Sequence, residues 1–278
     1  MEQIKRGPIG VFDSGYGGLT ILRDMRRVLP QYDYVYLGDN ARAPYGSRSF
    51  DVVYQFTRQS VRYLFDLGCP LVVLGCNTAS AKALRTIQRQ DLPQWEPGLR
   101  VLGVIRPTVE SIGAVTRTRH VGILGTMGTI QSQSYPLELR KLFPDVVVTG
   151  HACPMWAPIV ENNEYASPGA DYFVRKDIES LLSADPLIDT VVLGCTHYPL
   201  LIDKIRQYMP PQIRIIAQGG IVADSLQRYL QRHADIQQRL AQDGRCEFLT
   251  TESPDKFRQS AAIFLNEEVT ARHVDFGI

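Results

Sequence analysis

Two stretches of this chain repeat one pattern: Leu71-Val72-Val73-Leu74-Gly75-Cys76-Asn77-Thr78 and Thr190-Val191-Val192-Leu193-Gly194-Cys195-Thr196-His197. Each runs an apolar, β-branched segment into Gly-Cys and then into small hydrogen-bonding residues, so each predicts a strand, a tight turn and a helix start. The repetition implies two similar units, each placing a cysteine just past a strand end. Thiols delivered by equivalent halves of one fold can face each other across a small molecule. That arrangement suits a reaction needing a base and an acid on opposite faces of one atom.

The rest of the chain follows the same rhythm of strand, glycine-rich turn and helix. Pro8 to Phe12 is an apolar run ending in Asp13-Ser14-Gly15-Tyr16-Gly17-Gly18, and Leu19, Leu22, Met25 and Leu29 then predict a helix that stops at Pro30. Tyr34 to Gly38 reads as a second strand, Ser49 to Leu67 as a helix, Leu71 to Gly75 as a third strand and Val101 to Ile105 as a fourth. The sequence then starts again, because Val121-Gly122-Ile123-Leu124-Gly125-Thr126-Met127-Gly128-Thr129 echoes the segment from Gly10 to Gly18. Val146 to Thr149, Thr190 to Gly194 and Arg214 to Ala217 supply later strands, and Ile221 to Leu240 reads as helical. The alternation predicts an α/β protein of two pseudo-symmetric domains with mostly parallel sheets. In such sheets ligands gather at the carboxyl ends of the strands, so the active site is expected in the cleft between the domains. The expected division is 1–100 for the first domain, 101–210 for the second, and a return of 211–278 onto the first.

Charge and cysteine usage narrow the function. Thirty Lys and Arg against 29 Asp and Glu leave a net charge of +1, which gives no signature of nucleic-acid or membrane-surface binding. The five cysteines are an odd number without a secreted-scaffold spacing, so reduced thiols in a cytosol are expected. The amino terminus shows no apolar signal core and no stretch approaches membrane-spanning length, so the expectation is a soluble cytoplasmic protein.

A cysteine at a strand end is ordinarily a small buried apolar residue, and Cys69 and Cys246 take that reading. Cys76 and Cys195 differ by recurring in one local context. A helix start beside each would favour the thiolate, lowering a pKa of about 8.5 toward 7 or below. Asp13 and Ser14 are either caps for the following helix or polar groups aimed into the cleft. The Gly15–Gly18 turn could cradle a phosphate, but it lacks the lysine of a P-loop. His197 could assist proton transfer at Cys195. Alternatively, Cys195, His197, His151 and Cys153 could supply four zinc ligands, although their spacing is unlike that of structural zinc sites. Asp39 to Gly46 is a polar turn in which Tyr45 could present its backbone and hydroxyl to a ligand. Glu161-Asn162-Asn163-Glu164 either lines the cleft or is solvated.

With these residues in place, the chain resembles the glutamate racemases of the cofactor-independent aspartate/glutamate racemase family. The resemblance spans nearly its whole length. It rests on Val11 to Thr20, on Asp39 through Pro44-Tyr45-Gly46, on Gly75-Cys76-Asn77-Thr78-Ala79 and on Gly194-Cys195-Thr196-His197-Tyr198-Pro199. The resemblance implies that Cys76 takes the α-proton from the D enantiomer and Cys195 from the L enantiomer. It implies Asp13 and His197 as helpers of the thiols, with Glu161 beside His197. Substrate-binding positions implied are Asp13, Ser14, Tyr45, Gly46, Asn77, Thr78, Thr196 and His197, with Thr126 and Thr129 as weaker additions. Two segments depart from the family pattern: Ile105-Arg106-Pro107-Thr108 and Ala217-Gln218-Gly219-Gly220-Ile221.

Racemisation without an electron sink needs a desolvated thiolate, an opposing thiol, and donors that spread charge on the substrate carboxylate; Asn77, Thr78 and Thr196 suit that last role. Neither Lys82 nor Lys204 is placed to form a Schiff base, so no cofactor and no metal are expected. The implied partner is the small molecule glutamate, whose D form supplies peptidoglycan; a homodimer is left open. An aspartate racemase, a non-catalytic small-molecule binder and a zinc hydrolase remain the competing readings.

Overall fold

Ten short runs become strands in the computed structural model, which describes residues 6–277. They are β1 (Ile9–Asp13), β2 (Tyr34–Gly38), β3 (Leu71–Leu74), β4 (Arg100–Gly103), β5 (His120–Gly125), β6 (Val147–Ala152), β7 (Thr190–Gly194), β8 (Arg214–Ile216), β9 (Cys246–Thr250) and β10 (Ala271–His273). They form one sheet in the order β10-β9-β2-β1-β3-β4 and another in the order β6-β5-β7-β8. Every pairing between these strands is parallel. The order β2-β1-β3-β4 in one sheet is matched by β6-β5-β7-β8 in the other, so the sequence echo is an echo of topology. Both orders reverse direction between their first and third strands. Connections leave such neighbours in opposite directions and open a crevice at their carboxyl ends. Asp13 and Cys76 stand at the β1/β3 crevice, and Thr126 and Cys195 at the β5/β7 crevice.

The central strands are covered on both faces, which is why β1, β2, β3 and β7 read as continuous apolar runs without alternation. Helix α1 (Leu19–Val28) buries Leu19, Leu22 and Met25 and carries Arg26 and Arg27 in its last turn, where cations complement the helix dipole. Helix α2 (Phe50–Asp66) starts where Ser49 Oγ accepts the Val52 N–H at 3.3 Å, and it buries Val53, Thr57, Val61 and Leu64 as one stripe.

Some boundaries differ from the sequence expectation. The fourth strand ends at Gly103, and Ile105 opens a helix, Ile105–Ile112. Pro107 sits in its first turn, where a missing N–H costs no intrahelical bond. The helical stretch expected from Ile221 to Leu240 is a helix Gly219–Arg232, a break at His233, and a short turn Ala234–Gln237. Sheet membership also departs from the 1–100 and 101–210 division. β4 pairs with β3 in the first sheet through Val72↔Val101, while β8, beyond residue 210, pairs with β7 through Val191↔Ile215. The carboxyl-terminal stretch adds β9 beside β2 and β10 beside β9.

The helix between β9 and β10, Pro254–Leu265, carries the buried Phe257 against Tyr16, Tyr36 and Phe248, with ring centroids 5.7, 6.1 and 6.2 Å away. Tyr36 in turn donates its hydroxyl to the Gly15 carbonyl at 2.9 Å, so this aromatic cluster supports the turn after β1. Among the described residues, no helix is long and apolar enough to cross a membrane. Phe257→Ala is expected to cost about 3–5 kcal/mol, the usual range for emptying a buried aromatic site. Urea unfolding would measure the loss, and a destabilisation below about 1 kcal/mol would show that the cluster is not a support.

Candidate active site

Asp13 is the last residue of β1, and its side chain is 1% exposed. Its Oδ2 accepts the Gly15 N–H at 2.9 Å, while Oδ1 has no hydrogen-bond partner. Burial raises its pKa, against the opposing influence of His197 and backbone donors. Neither Asp13 nor Ser14 caps α1, because Gly18 occupies the cap position and no side chain bonds there. Both are instead turned to the site. Ser14 Oγ lies 3.2 Å from Cys76 Sγ.

Cys76 is the N-cap residue of α3 (Asn77–Lys82), and its sulfur accepts the Ala79 N–H at 3.4 Å. The helix start is therefore where the sequence predicts it. Its expected effect on the thiol is overturned. Burial pushes the pKa up to about 12, the Asp13 charge adds to this, and the donors at Ser14 and Ala79 only partly oppose it. With Cys76 5% exposed, desolvation outweighs two donors, and this thiol rests protonated.

The Cys195 end is built differently. After β7 the chain makes a turn in which the Tyr198 N–H bonds the Cys195 carbonyl at 3.2 Å, and a short 3-10 helix Tyr198–Leu201 follows with His197 at its cap. Cys195 is thus not at a helix start, because the intervening turn places His197 there. Cys195, 7% exposed, has its sulfur 3.6 Å from His197 Nδ1, and His197 Nε2 lies 2.9 Å from Glu161 Oε1. Burial alone would lower the His197 pKa, but the bonds to Cys195 and Glu161 outweigh it and raise the pKa well above 6.5. The ring is held as an imidazolium between a sulfur and a carboxylate.

Contacts between the two halves close the site. A Cβ on Gly17 would come within 2.3 Å of Thr196 Oγ1 and 2.5 Å of His197 Nδ1, so only glycine lets the β1 turn lie against the Cys195 turn. Thr20 Oγ1 donates to the Gly17 carbonyl at 2.8 Å and lies 3.1 Å from the Thr196 carbonyl. Thr78 and Thr126 hydroxyls meet at 2.9 Å, and Thr126 and Thr129 at 3.1 Å. Thr126 also caps the helix Met127–Gln131. The Gly128 N–H donates to the Gly46 carbonyl at 2.7 Å. Tyr45 is buried with its hydroxyl donated to Asp39, which also accepts from Arg42 Nε at 2.7 Å. The expectation that this hydroxyl faces a ligand is therefore corrected: it is taken up by Asp39.

Asn77 reveals residues that sequence reasoning missed. Its Oδ1 accepts the Tyr135 hydroxyl at 2.8 Å, and its Nδ2 donates to Gln218 Oε1 at 2.6 Å. Gln218 Nε2 bonds both Tyr135 Oη at 2.8 Å and Thr108 Oγ1 at 2.9 Å. Gln218 and Thr108 come from the two segments that depart from the family pattern. The departures meet each other beneath Asn77, next to Cys76. One hydrogen of the Asn77 amide remains for a ligand. A cavity of about 590 Å³ lies on the other side of α3, lined by Lys82, Arg85, Arg106 and Glu138; neither thiol lines it. The four-ligand metal set is not assembled, since the one metal-like group among the described residues is His151, Cys153 and Asp177.

Comparison with known proteins decides the family. The model of the Asp/Glu/Hydantoin racemase family matches residues 9–226. The chain belongs to the Asp/Glu/hydantoin racemase family. Within reach of it is a glutamate racemase of Listeria innocua, 39% identical over 97% of this chain and 98% of the relative. The solved structure of a glutamate racemase isoform from Bacillus anthracis superimposes with a TM-score of 0.89 at 35% identity, covering 99% of both chains. That of a Francisella tularensis glutamate racemase in complex with D-glutamate gives 0.86 at 28% identity, again over 99% of both. The two-domain fold is thus shared with glutamate racemases.

Two outcomes follow from this geometry. A histidine whose folded-state pKa is raised stabilises the fold fully below its unfolded value of about 6.5 and loses that contribution as pH climbs through the folded value. The stability gap between wild type and His197→Asn, measured by urea unfolding, should therefore be constant at acid pH and shrink on the alkaline side. A gap that widens with rising pH would contradict the imidazolium. Gln218→Ala strips partners from Asn77, Tyr135 and Thr108, so a loss of about 1–3 kcal/mol is expected with a fall in kcat. Unchanged stability and turnover would mean the network does not hold Asn77.

Proposed function

We propose that this protein interconverts L- and D-glutamate by a two-thiol proton transfer, supplying D-glutamate for peptidoglycan. The observation that supports the reading is two buried cysteines at matching strand ends, near enough for Cys195 to act on the charge of Cys76, with different neighbours around each. Cys76 is held as a thiol by burial and Asp13, and Cys195 lies against the His197 imidazolium. With L-glutamate, Cys195 removes the α-proton and the Cys76 thiol delivers its own to the opposite face of Cα. With D-glutamate the roles reverse. His197 and Glu161 keep positive charge beside Cys195 as its protonation changes. Asp13, whose own pKa is raised, can carry a proton to offset the thiolate formed at Cys76.

The α-carboxylate gathers charge as the carbanion forms, so fixed donors aimed at it lower the barrier. The Asn77 amide, the hydroxyls of Ser14, Thr78, Thr126, Thr129 and Thr196, and the Tyr45–Gly46 backbone are the proposed donors. Schiff-base chemistry finds no candidate in the two lysines considered for it. Lys82 Nζ donates to the Arg48 carbonyl and Lys204 pairs with Asp171 at 2.7 Å. The names of the relatives, and the D-glutamate of the Francisella tularensis complex, support glutamate as substrate. A cytoplasmic location and a homodimer belong to the same reading, and sedimentation equilibrium would test the dimer.

Racemisation in D2O, followed by circular dichroism and by α-deuterium uptake from each enantiomer, tests the proposal. Loss of optical activity with deuterium incorporation from glutamate, and far less from aspartate, is the expected result. No exchange from either enantiomer would leave a binding protein as the reading. Cys76→Ser and Cys195→Ser should each lower racemisation by about 10²–10⁴-fold or more. Each variant should still eliminate a good β-leaving group from one enantiomer, which needs a single base. Wild-type racemisation in either variant would refute the assignment.

A further inference from the structure

We propose that His151, Cys153 and Asp177 form a binding site for a borderline-soft divalent cation of the Zn2+ type, apart from the two catalytic thiols. His151 lies on β6, Cys153 immediately follows that strand, and Asp177 projects from the helix Pro168–Ala184 packed against it. One ligand atom from each residue lies within 4.8 Å of the others. His151 Nε2 is 3.1 Å from Asp177 Oδ1.

The second carboxylate oxygen gives the argument its direction. Asp177 is 6% exposed, and its Oδ2 has no hydrogen-bond partner. A buried carboxylate oxygen without a strong donor is costly; the histidine serves only the other oxygen, and the Cys153 thiol beside the carboxylate is a weak donor. The Cys153 thiol is likewise buried, with the His151 carbonyl 3.8 Å away and the Asp177 carboxylate beside it as weakly bonded acceptors. Nitrogen, sulfur and oxygen donors thus converge where a cation would satisfy all three.

The dimensions suit such an ion. Tetrahedral zinc with bonds of about 2.0–2.3 Å sets its ligand atoms roughly 3.3–3.8 Å apart, so the 3.1 Å His151–Asp177 pair would open slightly while the wider spacings, up to 4.8 Å, would close. Binding breaks the Cys153 S–H bond, forms a sulfur–metal bond and releases the proton to solvent. Thiolate and carboxylate then balance the double positive charge, and the neutral imidazole completes three protein ligands. The His151 side chain is 29% exposed and gives the ion a way in. The Tyr198 hydroxyl donates to the Cys153 carbonyl at 3.1 Å, so a filled site would brace the turn that follows Cys195.

The test uses the full chain with Cys76→Ser and Cys195→Ser, so that the catalytic thiols cannot capture metal, and its outcome is independent of the racemase reading. Zn2+ binding is measured by calorimetry and Co2+ binding by absorption spectroscopy. A single Zn2+ per chain, a raised Tm, and a near-ultraviolet thiolate-to-cobalt charge-transfer band are expected. Adding Cys153→Ser should abolish the band and weaken Zn2+ binding on the order of 100-fold. Asp177→Asn and His151→Gln should each weaken binding while leaving the band at saturating Co2+, and they keep the test open if Cys153→Ser fails to fold. No Zn2+ binding, or binding and a band that survive Cys153→Ser, would overturn the site and leave His151 and Asp177 as an ion pair.

Discussion

The proposed two-thiol reaction requires a fixed distance between Cys76 and Cys195, and the contacts available to set it join carboxyl ends of different sheets. The Gly17 turn seats directly on Thr196 and His197, with no room for a side chain between them. Thr20 ties the same two turns, Thr78 and Thr126 tie α3 to the cap of Met127–Gln131, and the Gly46 carbonyl takes the Gly128 N–H. Much of the remaining architecture positions these contacts. Asp39 anchors the loop that carries Gly46, and the carboxyl-terminal return backs the β1 turn through Phe257, Tyr36 and Gly15.

Topological symmetry does not extend to the electrostatics. A thiol held at about 12 rather than 9.0 has its thiolate disfavoured by roughly 4 kcal/mol. Burial is the main cause at Cys76, and a neighbouring carboxylate adds to it. At Cys195 the nearest charged group is an imidazolium, itself held by Glu161. Two near-identical sequence motifs thus give their cysteines opposite neighbours. The proposed proton transfer needs that difference to be small in the loaded site, and a substrate ammonium placed near Asp13 would offset part of it.

Much of this was legible in the chain because the signals are local. Apolar runs buried on both faces, the Ser49 cap, the glycine turns and the Gly-Cys repeat each act through neighbours in sequence. Their strands and helices fall close to where they were read. The misreadings share a cause as well. β4 was read too long because Val104 and Ile105 suit either a strand or a helix, and the choice depends on packing. The Cys76 thiol was expected to be acidic because a helix start is visible in sequence and the depth of burial is not. Gln218, Tyr135 and Thr108 carry no motif. The one signal was that two of them lie in off-pattern segments, and nothing in the sequence says that those segments touch.

The sequence by itself determined that two similar α/β units each carry a cysteine past a third strand, since periodicity and turn chemistry are properties of short segments. It also pointed to His197 and Glu161 as neighbours, through resemblance to a family. Tertiary structure alone decided that Cys76 is buried deeply enough to rest as a thiol, that the Tyr45 hydroxyl is taken by Asp39, and what holds Asn77 in place. Those outcomes depend on desolvation and on hydrogen bonds between residues far apart in the chain, such as Asn77 with Gln218 and Ser14 with Cys76. Such energies exist only once the halves have closed on each other.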